Sequence, residues 1–559
     1  MSPNNADSSA SQPPNSSRMM LLVKVMAALL LLNFLTSFEN VWPTPLIKPD
    51  ARVGPEFVGL WVLLLIWVAL FKRVGALALS ITTGLYLLIV IGRYTDVTVP
   101  ALFGRELNLY WDGHQIPKFL EVASQALAGW QIVAILLAIV LGAWFLIWLI
   151  RTCIKTLANH AVPYALRSPI LLVITVFWMG MVVGNVMKVE ATWPYISRPV
   201  VPIYLRQADL LLTAFLPSRL AKVLPASPPL TSDLDALKGA EVKMLFLESY
   251  GATTYEHPEI FKAIDPARAE FERAANEQGR TVLSAFMRAA TFAGASELSH
   301  LSVLSGIDLT DPLRHDLLLT TDRKTMIDTF ETAGYRTIGL YPAMSWDWPE
   351  KSFYGFDHYH DAPSLDYEGP KFGLWWLPDQ FVMARIDEMY PPSQSDKPRF
   401  IFYPTITSHI PFRPTPPYQS DWSRVTSAQP YDDDETEQAL ADKIDWTDLF
   451  PPYISTIEYT FKWLAGYEAL PQPRDNLLIL IGDHQPASSV TGPNASWDVP
   501  VHIVSSNEIL LDRLRAAGFS EGVNPRRQSL GTINALNQIL LNAFNSASTK
   551  LAGSASRSN

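Results

Sequence analysis

Asp483 and His484 stand side by side in the stretch Asn476-Leu-Leu-Ile-Leu-Ile-Gly-Asp-His-Gln-Pro486. They offer one hard oxygen and one imidazole nitrogen, a donor pair suited to Zn²⁺ or Mn²⁺. On its own, an Asp-His after a strand is more often a cap or turn pair than a metal site. A second stretch, Val242-Lys-Met-Leu-Phe-Leu-Glu248-Ser-Tyr-Gly251, ends in a similar way and adds a carboxylate. Glu248, Asp483 and His484 together make a donor set for one divalent cation.

These side chains must be placed by the elements that precede them. Residues 477–481 are all apolar and bounded by turn signals, which reads as a buried strand. Strand-like segments recur at 242–247, 336–341, 399–405 and 499–504, with helix-like stretches such as 324–334 and 454–470 between them. Alternation of this kind implies an α/β sheet with helices on both faces. In such sheets ligands gather outside the carboxyl ends of the strands. His502 falls inside the segment 499–504 and reads as structural.

The rest of the chain is of a different character. Its 559 residues are 48% hydrophobic, and its mean hydropathy is +0.11, high for a chain wholly in water. Apolar runs at about 19–38, 56–72, 75–92, 131–150 and 169–187 are each near the roughly 20 residues that a membrane helix needs. The first lacks a small-residue cleavage site and is followed by further spans, so it reads as a membrane helix and not a signal peptide. Arg18, Lys72, Arg73, Arg151, Lys155 and Arg167 lie on one side of these runs. That side is expected to be cytoplasmic. Five spans then put everything after 187 on the other side. The expected organisation is a disordered leader at 1–18 and a transmembrane domain at 19–187. A connector with an interfacial helix follows at 188–240, then the α/β domain at 241–545 and a disordered tail at 546–559. The formal charge of −10 argues against a nucleic-acid partner. The single cysteine, Cys153, excludes an intrachain disulfide and a cysteine-based zinc site.

About five membrane helices, then a domain with Glu after its first strand and Asp-His after a late one, resemble the membrane-anchored sulfatase-like phosphotransferases. This group of the alkaline phosphatase superfamily includes lipoteichoic acid synthase, the lipid A phosphoethanolamine transferases and enzymes that place phosphoglycerol on periplasmic glucans. The family's nucleophile is a Thr, less often a Ser, in a small-residue loop that opens a helix. Phe292-Ala-Gly-Ala-Ser296-Glu-Leu-Ser-His-Leu-Ser-Val-Leu-Ser-Gly306 looks like that loop. Ser296 precedes Ser299 and Ser305 by the three and nine residues seen in the phosphoethanolamine transferases. The resemblance makes Ser296 both nucleophile and fourth metal ligand, with Thr291 and then Ser299 as rivals. A helix start suits a phosphate, although a serine there can also be a simple N-cap.

The same resemblance assigns substrate contacts. Pro404-Thr-Ile-Thr-Ser-His409-Ile-Pro-Phe412 is similar to a segment of lipoteichoic acid synthase whose His touches the bound phosphate. Phe372-Gly-Leu-Trp-Trp-Leu-Pro-Asp379 resembles a Gly-x-x-Asp segment before a helix, where Asp379 is a substrate contact or that helix's N-cap. Trp346, in Met344-Ser-Trp-Asp-Trp-Pro-Glu350, matches a headgroup-pocket Trp, but Trp348 falls where that pocket has an Arg. His300 is expected to stabilise charge in the pocket or to pack in the helix. The formylglycine route of sulfatases needs Pro and Arg after the nucleophile, and Ser296-Glu-Leu-Ser has neither.

The resulting expectation is an α-helical membrane domain followed by an α/β sulfatase-like domain on the periplasmic side of a bacterial inner membrane. With one Zn²⁺ or Mn²⁺, it moves a phospholipid headgroup, phosphoglycerol or phosphoethanolamine, through phospho-Ser296 onto an envelope glycan or lipid. An anchored phosphodiesterase or sulfatase is the alternative within the fold. A non-catalytic, degenerate sulfatase-like scaffold is the alternative from another class.

Overall fold

The apolar runs have no polar face to keep in water, and in a computed structural model of the chain they fold as helices. The structure describes residues 15–113, 116, 128–189, 194–216, 219, 222–344, 350–392 and 397–546. Most of the leader and tail expected to be disordered, and Trp346 and Trp348, lie outside those residues. The chain divides into two units, residues 1–102 with 106–215 and residues 103–105 with 216–559.

The first unit is helical: α1 (Asn15–Ser37), α2 (Pro55–Phe71), α3 (Ala76–Phe103), α4 (Gly129–Thr156), α5 (Pro169–Val186) and α6 (Val201–Phe215). Among the described residues, four helices are long and apolar enough to cross a membrane: α1, α3, α4 with its extension to Ala165, and α5. The remaining expected run, 56–72, forms a shorter apolar helix, α2. That helix, α2, has 17 residues because Lys72 leaves the helix at φ 66 to make the tight connection into α3. A small core of Leu32, Leu64, Tyr86, Ile150, Ile154 and Leu157 holds these helices together. Side-chain hydrogen bonds tie them further: Tyr86 donates to the Leu32 carbonyl at 2.6 Å and Trp61 to Thr175 at 3.1 Å. The apolar stretch expected to lie at the interface, 209–217, begins within α6, which takes it as far as Phe215.

The second unit is built on a nine-stranded sheet. Its strands are β1 (Glu241–Leu247), β2 (Thr281–Arg288), β3 (Arg336–Tyr341), β4 (His358–Asp361), β5 (Arg399–Pro404), β6 (Asn476–Gly482), β7 (Asp498–Ser505), β8 (Ser520–Glu521) and β9 (Ser529–Thr532). The order is β8-β2-β7-β6-β1-β5-β3-β4, with β9 beside β2. Strands β6, β1, β5, β3 and β4 run parallel. Strand β7 is antiparallel to both of its neighbours, β6 and β2.

Central strands of a parallel sheet are covered on both faces, which is why β1 and β6 carry the apolar runs 244–247 and 477–481. Every residue of both is buried. Leu245 and Leu247 face a cluster that includes Phe271 of α7 (Pro258–Glu277) and Phe461 and Trp463 of α10 (Phe450–Glu468). On the other face, Phe246 packs on His300 of α8 (Glu297–Ser305). Each such fully buried side chain stabilises the sheet by roughly 1.5–3 kcal/mol. Helix α9 (Asp379–Met389) completes the first face through Val382, Met383 and Ile386.

Candidate active site

The site starts from strand register. Leu247 of β1 is level with Gly482 of β6 on adjacent parallel strands. The next residues, Glu248 and Asp483, therefore leave the same edge side by side. Gly482 allows the two chains to converge, because a Cβ there would collide with the Tyr250 carbonyl. Asp483 N–H donates to the Leu247 carbonyl at 3.3 Å, and Ser249 N–H to Asp483 Oδ1 at 2.8 Å. These bonds stitch the two strand ends together.

Glu248, Asp483 and His484 are buried, and one ligand atom from each lies within 4.8 Å of the others. His484 Nδ1–H donates to the Gln485 carbonyl at 2.8 Å, which fixes the tautomer and leaves the Nε2 lone pair facing the carboxylates. Burial holds the His484 imidazole below its usual pKa, hence neutral. Burial, and then the charge of Glu248, push the Asp483 carboxyl well above the usual range. Two buried carboxylates without a cation resist joint ionisation. A divalent ion would remove that conflict, so two carboxylates, a neutral imidazole and a nearby hydroxyl fit Zn²⁺ or Mn²⁺ by donor chemistry.

Ser296 supplies the hydroxyl. It occupies the N-cap position of α8, yet its side chain makes no capping hydrogen bond. Its Oγ lies 3.2 Å from Glu248 Oε2 and 3.1 Å from His484 Nε2. One proton thus faces two acceptors. The loop before it is turned hard, with φ 55 at Ala293, 127 at Gly294 and 59 at Ala295. Small residues tolerate this conformation best, and strain of this kind concentrates at functional sites. Ala293 N–H donates to the Gln485 carbonyl at 3.1 Å, tying the loop to the residue that orients His484. The rival hydroxyls are engaged elsewhere. Thr291 donates to the Gly294 carbonyl at 2.7 Å, and Ser299 to the Asp483 carbonyl at 2.6 Å.

The remaining expected residues fall into three situations. His409 follows β5, the other neighbour of β1. Its Nδ1–H donates to the Ile410 carbonyl at 2.7 Å, leaving Nε2 as acceptor. The residue before it, Ser408, donates to the Glu248 carbonyl at 2.6 Å, which ties this loop to the strand end that carries Glu248. Asp379 is fully buried. It accepts from Tyr403 Oη at 2.5 Å and from the N–H groups of Ile406 and Thr407 at 2.8 and 3.1 Å. It is the first residue of α9 and not its cap. Its oxygens shape the loop that carries His409, so its position is behind the site instead of at substrate. His300 is likewise placed in the core, not on a pocket wall. Its ring lies 4.5 Å from Phe246 and 5.9 Å from Phe402, and burial pushes its pKa down to about 3. Trp346 lies outside the described residues.

Several supporting residues carried no signal in the sequence, since Ser, Thr and Tyr are common and their partners are remote. Thr405 Oγ1 accepts from Glu248 N–H at 3.0 Å, Ser408 donates to the Glu248 carbonyl at 2.6 Å, and Tyr453 donates to the Ser249 carbonyl at 2.9 Å. Glu297, directly after Ser296, is half-buried and its charge reaches His484, Tyr341 and Tyr354.

Residues 249–510 match the family model Sulfatase. No curated protein matches the chain. Among solved structures, a protein in the alkaline phosphatase superfamily from Vibrio parahaemolyticus is 17% identical, with 58% of this chain and 69% of that one covered, at TM-score 0.36. The Streptococcus pyogenes phosphoglycerol transferase GacH, in complex with sn-glycerol-1-phosphate, is 14% identical over 56% of this chain and 78% of its own, at 0.34. The C-terminal periplasmic domain of EcEptC from Escherichia coli is 11% identical over 56% and 84%, also at 0.34. Likenesses this distant carry no argument about chemistry. Residues 249–510, within the second unit, are thus those of a Sulfatase-family domain.

Proposed function

We propose that the chain is a metal-dependent transferase that moves a phospholipid headgroup, phosphoglycerol or phosphoethanolamine, onto an envelope glycan or lipid. The observation that carries the reading is the position of Ser296 Oγ, at a helix start and within hydrogen-bond reach of both Glu248 and His484. Glu248, Ser296, Asp483 and His484 would hold the ion, Zn²⁺ or Mn²⁺. When bound, it would lower the pKa of the serine hydroxyl and neutralise phosphoryl oxygens. Ser296 Oγ attacks phosphorus in line, a new P–O bond forms, and the bond to the diacylglycerol oxygen breaks. The serine proton leaves, the diacylglycerol oxygen takes one up, and phospho-Ser296 remains. The acceptor hydroxyl then displaces Ser296 by the same geometry. His409 would contact the phosphoryl group in this reading, as the similar segment of lipoteichoic acid synthase suggests. The apolar helices suit a lipid donor and a place in a bacterial inner membrane, with this domain on the periplasmic side.

Ser296→Ala should retain fold and metal but lose the covalent adduct, and turnover should fall by on the order of 10⁴-fold or more. Mass spectrometry of the quenched enzyme and diacylglycerol release from phosphatidylethanolamine and phosphatidylglycerol measure both. An active Ser296→Ala enzyme with an inactive Thr291→Ala one would move the nucleophile to Thr291.

The family match favours one second reading, hydrolysis of a phosphodiester or sulfate ester with water as acceptor. Release of sulfate from an aryl sulfate, without diacylglycerol from either lipid, would establish it.

A further inference from the structure

The acceptor has to be held by the walls of the site, and one wall residue stands out by exposure and backbone conformation. Trp376 is 46% exposed, whereas Phe372 and Leu377 on either side of the same turn are buried. Phe372 N–H donates to the Trp376 carbonyl at 3.2 Å, and Leu377 N–H to that of Trp375 at 3.0 Å. The turn passes through Gly373 at φ 66 and places Trp376 itself at φ 72. A bulky residue in the left-handed region is an outlier, and the conformation favours Gly or Asn. The chain thus holds a large indole in a disfavoured conformation and leaves it in water. Neither stabilises the fold, and such outliers cluster where ligands are clamped.

The surroundings of the ring narrow what it takes. Lys371 Nζ lies 4.3 Å from the centre of the Trp376 ring. The adjacent Trp375 meets His409 edge-on, at 5.7 Å and 80°. The turn therefore runs from an exposed ring to His409, whose neighbour Ser408 donates to the Glu248 carbonyl at 2.6 Å. Sugar C–H groups carry a small positive charge and stack on electron-rich ring faces as cations do. An ammonium beside the ring supplies donors for sugar hydroxyls. The exposed charges of the same loop are Asp366, Glu368 and Lys371, with no net positive charge to draw it to an anionic lipid surface.

We infer that Trp376 and Lys371 form a saccharide subsite that holds the glycan acceptor beside His409. This rests on the transferase reading above and names the acceptor class for it. It is tested on full-length protein in nanodiscs, labelled with 5-fluorotryptophan, with the Trp376 ¹⁹F resonance assigned by Trp376→Phe. The probes are the neutral oligosaccharides laminaripentaose and cellopentaose, and a spin-labelled phospholipid in the disc. A Trp376 resonance that shifts with at least one oligosaccharide and is not broadened by the spin label supports the subsite. No shift with either sugar at millimolar concentration, or broadening by the lipid label, overturns it, the latter making Trp376 a membrane anchor. In turnover, Trp376→Ala should raise the KM for a saccharide acceptor about 10-fold, the loss of one aromatic contact, with kcat little changed. An unchanged acceptor KM also overturns the subsite. Absence of diacylglycerol release by the wild-type protein would instead strike the transferase reading, while the ¹⁹F titration still decides whether sugar binds.

Discussion

At the scale of residues, each part of the site is set by what its polar atoms are already doing. Ser296 differs from Thr291 and Ser299 because its hydroxyl faces ligand atoms, whereas theirs are tied to backbone carbonyls. In the proposed site His484 would serve as a ligand and not as a proton carrier, since its Nδ1–H is fixed and burial lowers its pKa. Asp483 makes the sharpest test. Its Oδ1 accepts from the N–H groups of Ser249 and His484, at 2.8 and 2.6 Å. An asparagine can keep those bonds but not the charge. Asp483→Asn should therefore fold, with a melting temperature close to wild type, and bind metal more than about 100-fold more weakly. Metal content after purification without chelator, and after dialysis against EDTA, reads this directly. Wild-type metal content in the variant would remove Asp483 from the ligand set.

At the scale of elements, the site is the consequence of two parallel strands ending level. β1 and β6 were legible because each carries an apolar run, 244–247 and 477–481, closed by turn residues. β2, which leads into the nucleophile loop, was not. It has Ser284 in its middle, whose hydroxyl is satisfied by the Gly522 carbonyl and His502 Nδ1 from distant parts of the chain. The contact between the two strand ends depends on Gly482. Gly482→Ala forces its Cβ against the Tyr250 carbonyl. The variant should lose about 1–3 kcal/mol of stability and should lose metal as well, since Glu248 and Asp483 can no longer leave the sheet in register. Thermal unfolding with and without added Zn²⁺ would show both effects. A stable, metal-replete variant would mean that the strand ends are less rigid than this geometry requires.

At the scale of the whole molecule, two units with opposite demands share one chain. The helices expose apolar side chains over most of their length, α5 having no buried residue at all. The sheet unit is an ordinary water-facing α/β domain with its polar site buried at one edge. The excess of Lys and Arg on one side of the apolar runs is the ground for proposing that the sheet unit lies across the membrane from them. Because Cys153 is the single cysteine, a Cys153→Ser background leaves a thiol-free chain for mapping. Thr310, exposed in the sheet unit, becomes the reporter as Thr310→Cys. It should react with a membrane-impermeant maleimide in intact spheroplasts. Labelling only after lysis would reverse the orientation.

What the sequence determined by itself was whatever is written in local pattern. Apolar length marks membrane helices, apolar runs with turn endings mark central strands, and the pairing of Asp483 with His484 puts two donors on one turn. The resemblance then singled out Ser296 and His409. Tertiary structure decided what depends on partners distant along the chain. It closed the hairpin between α2 and α3 with the turn at Lys72. It put His300 into the core and Asp379 behind the His409 loop, since a residue's role there depends on which remote groups fill its surroundings. It brought Glu248 and Ser296 together across 48 residues, and Ser296 and His484 across 188. Strand register sets such distances. Register follows from how whole faces of the sheet are buried, and no short stretch of sequence encodes it.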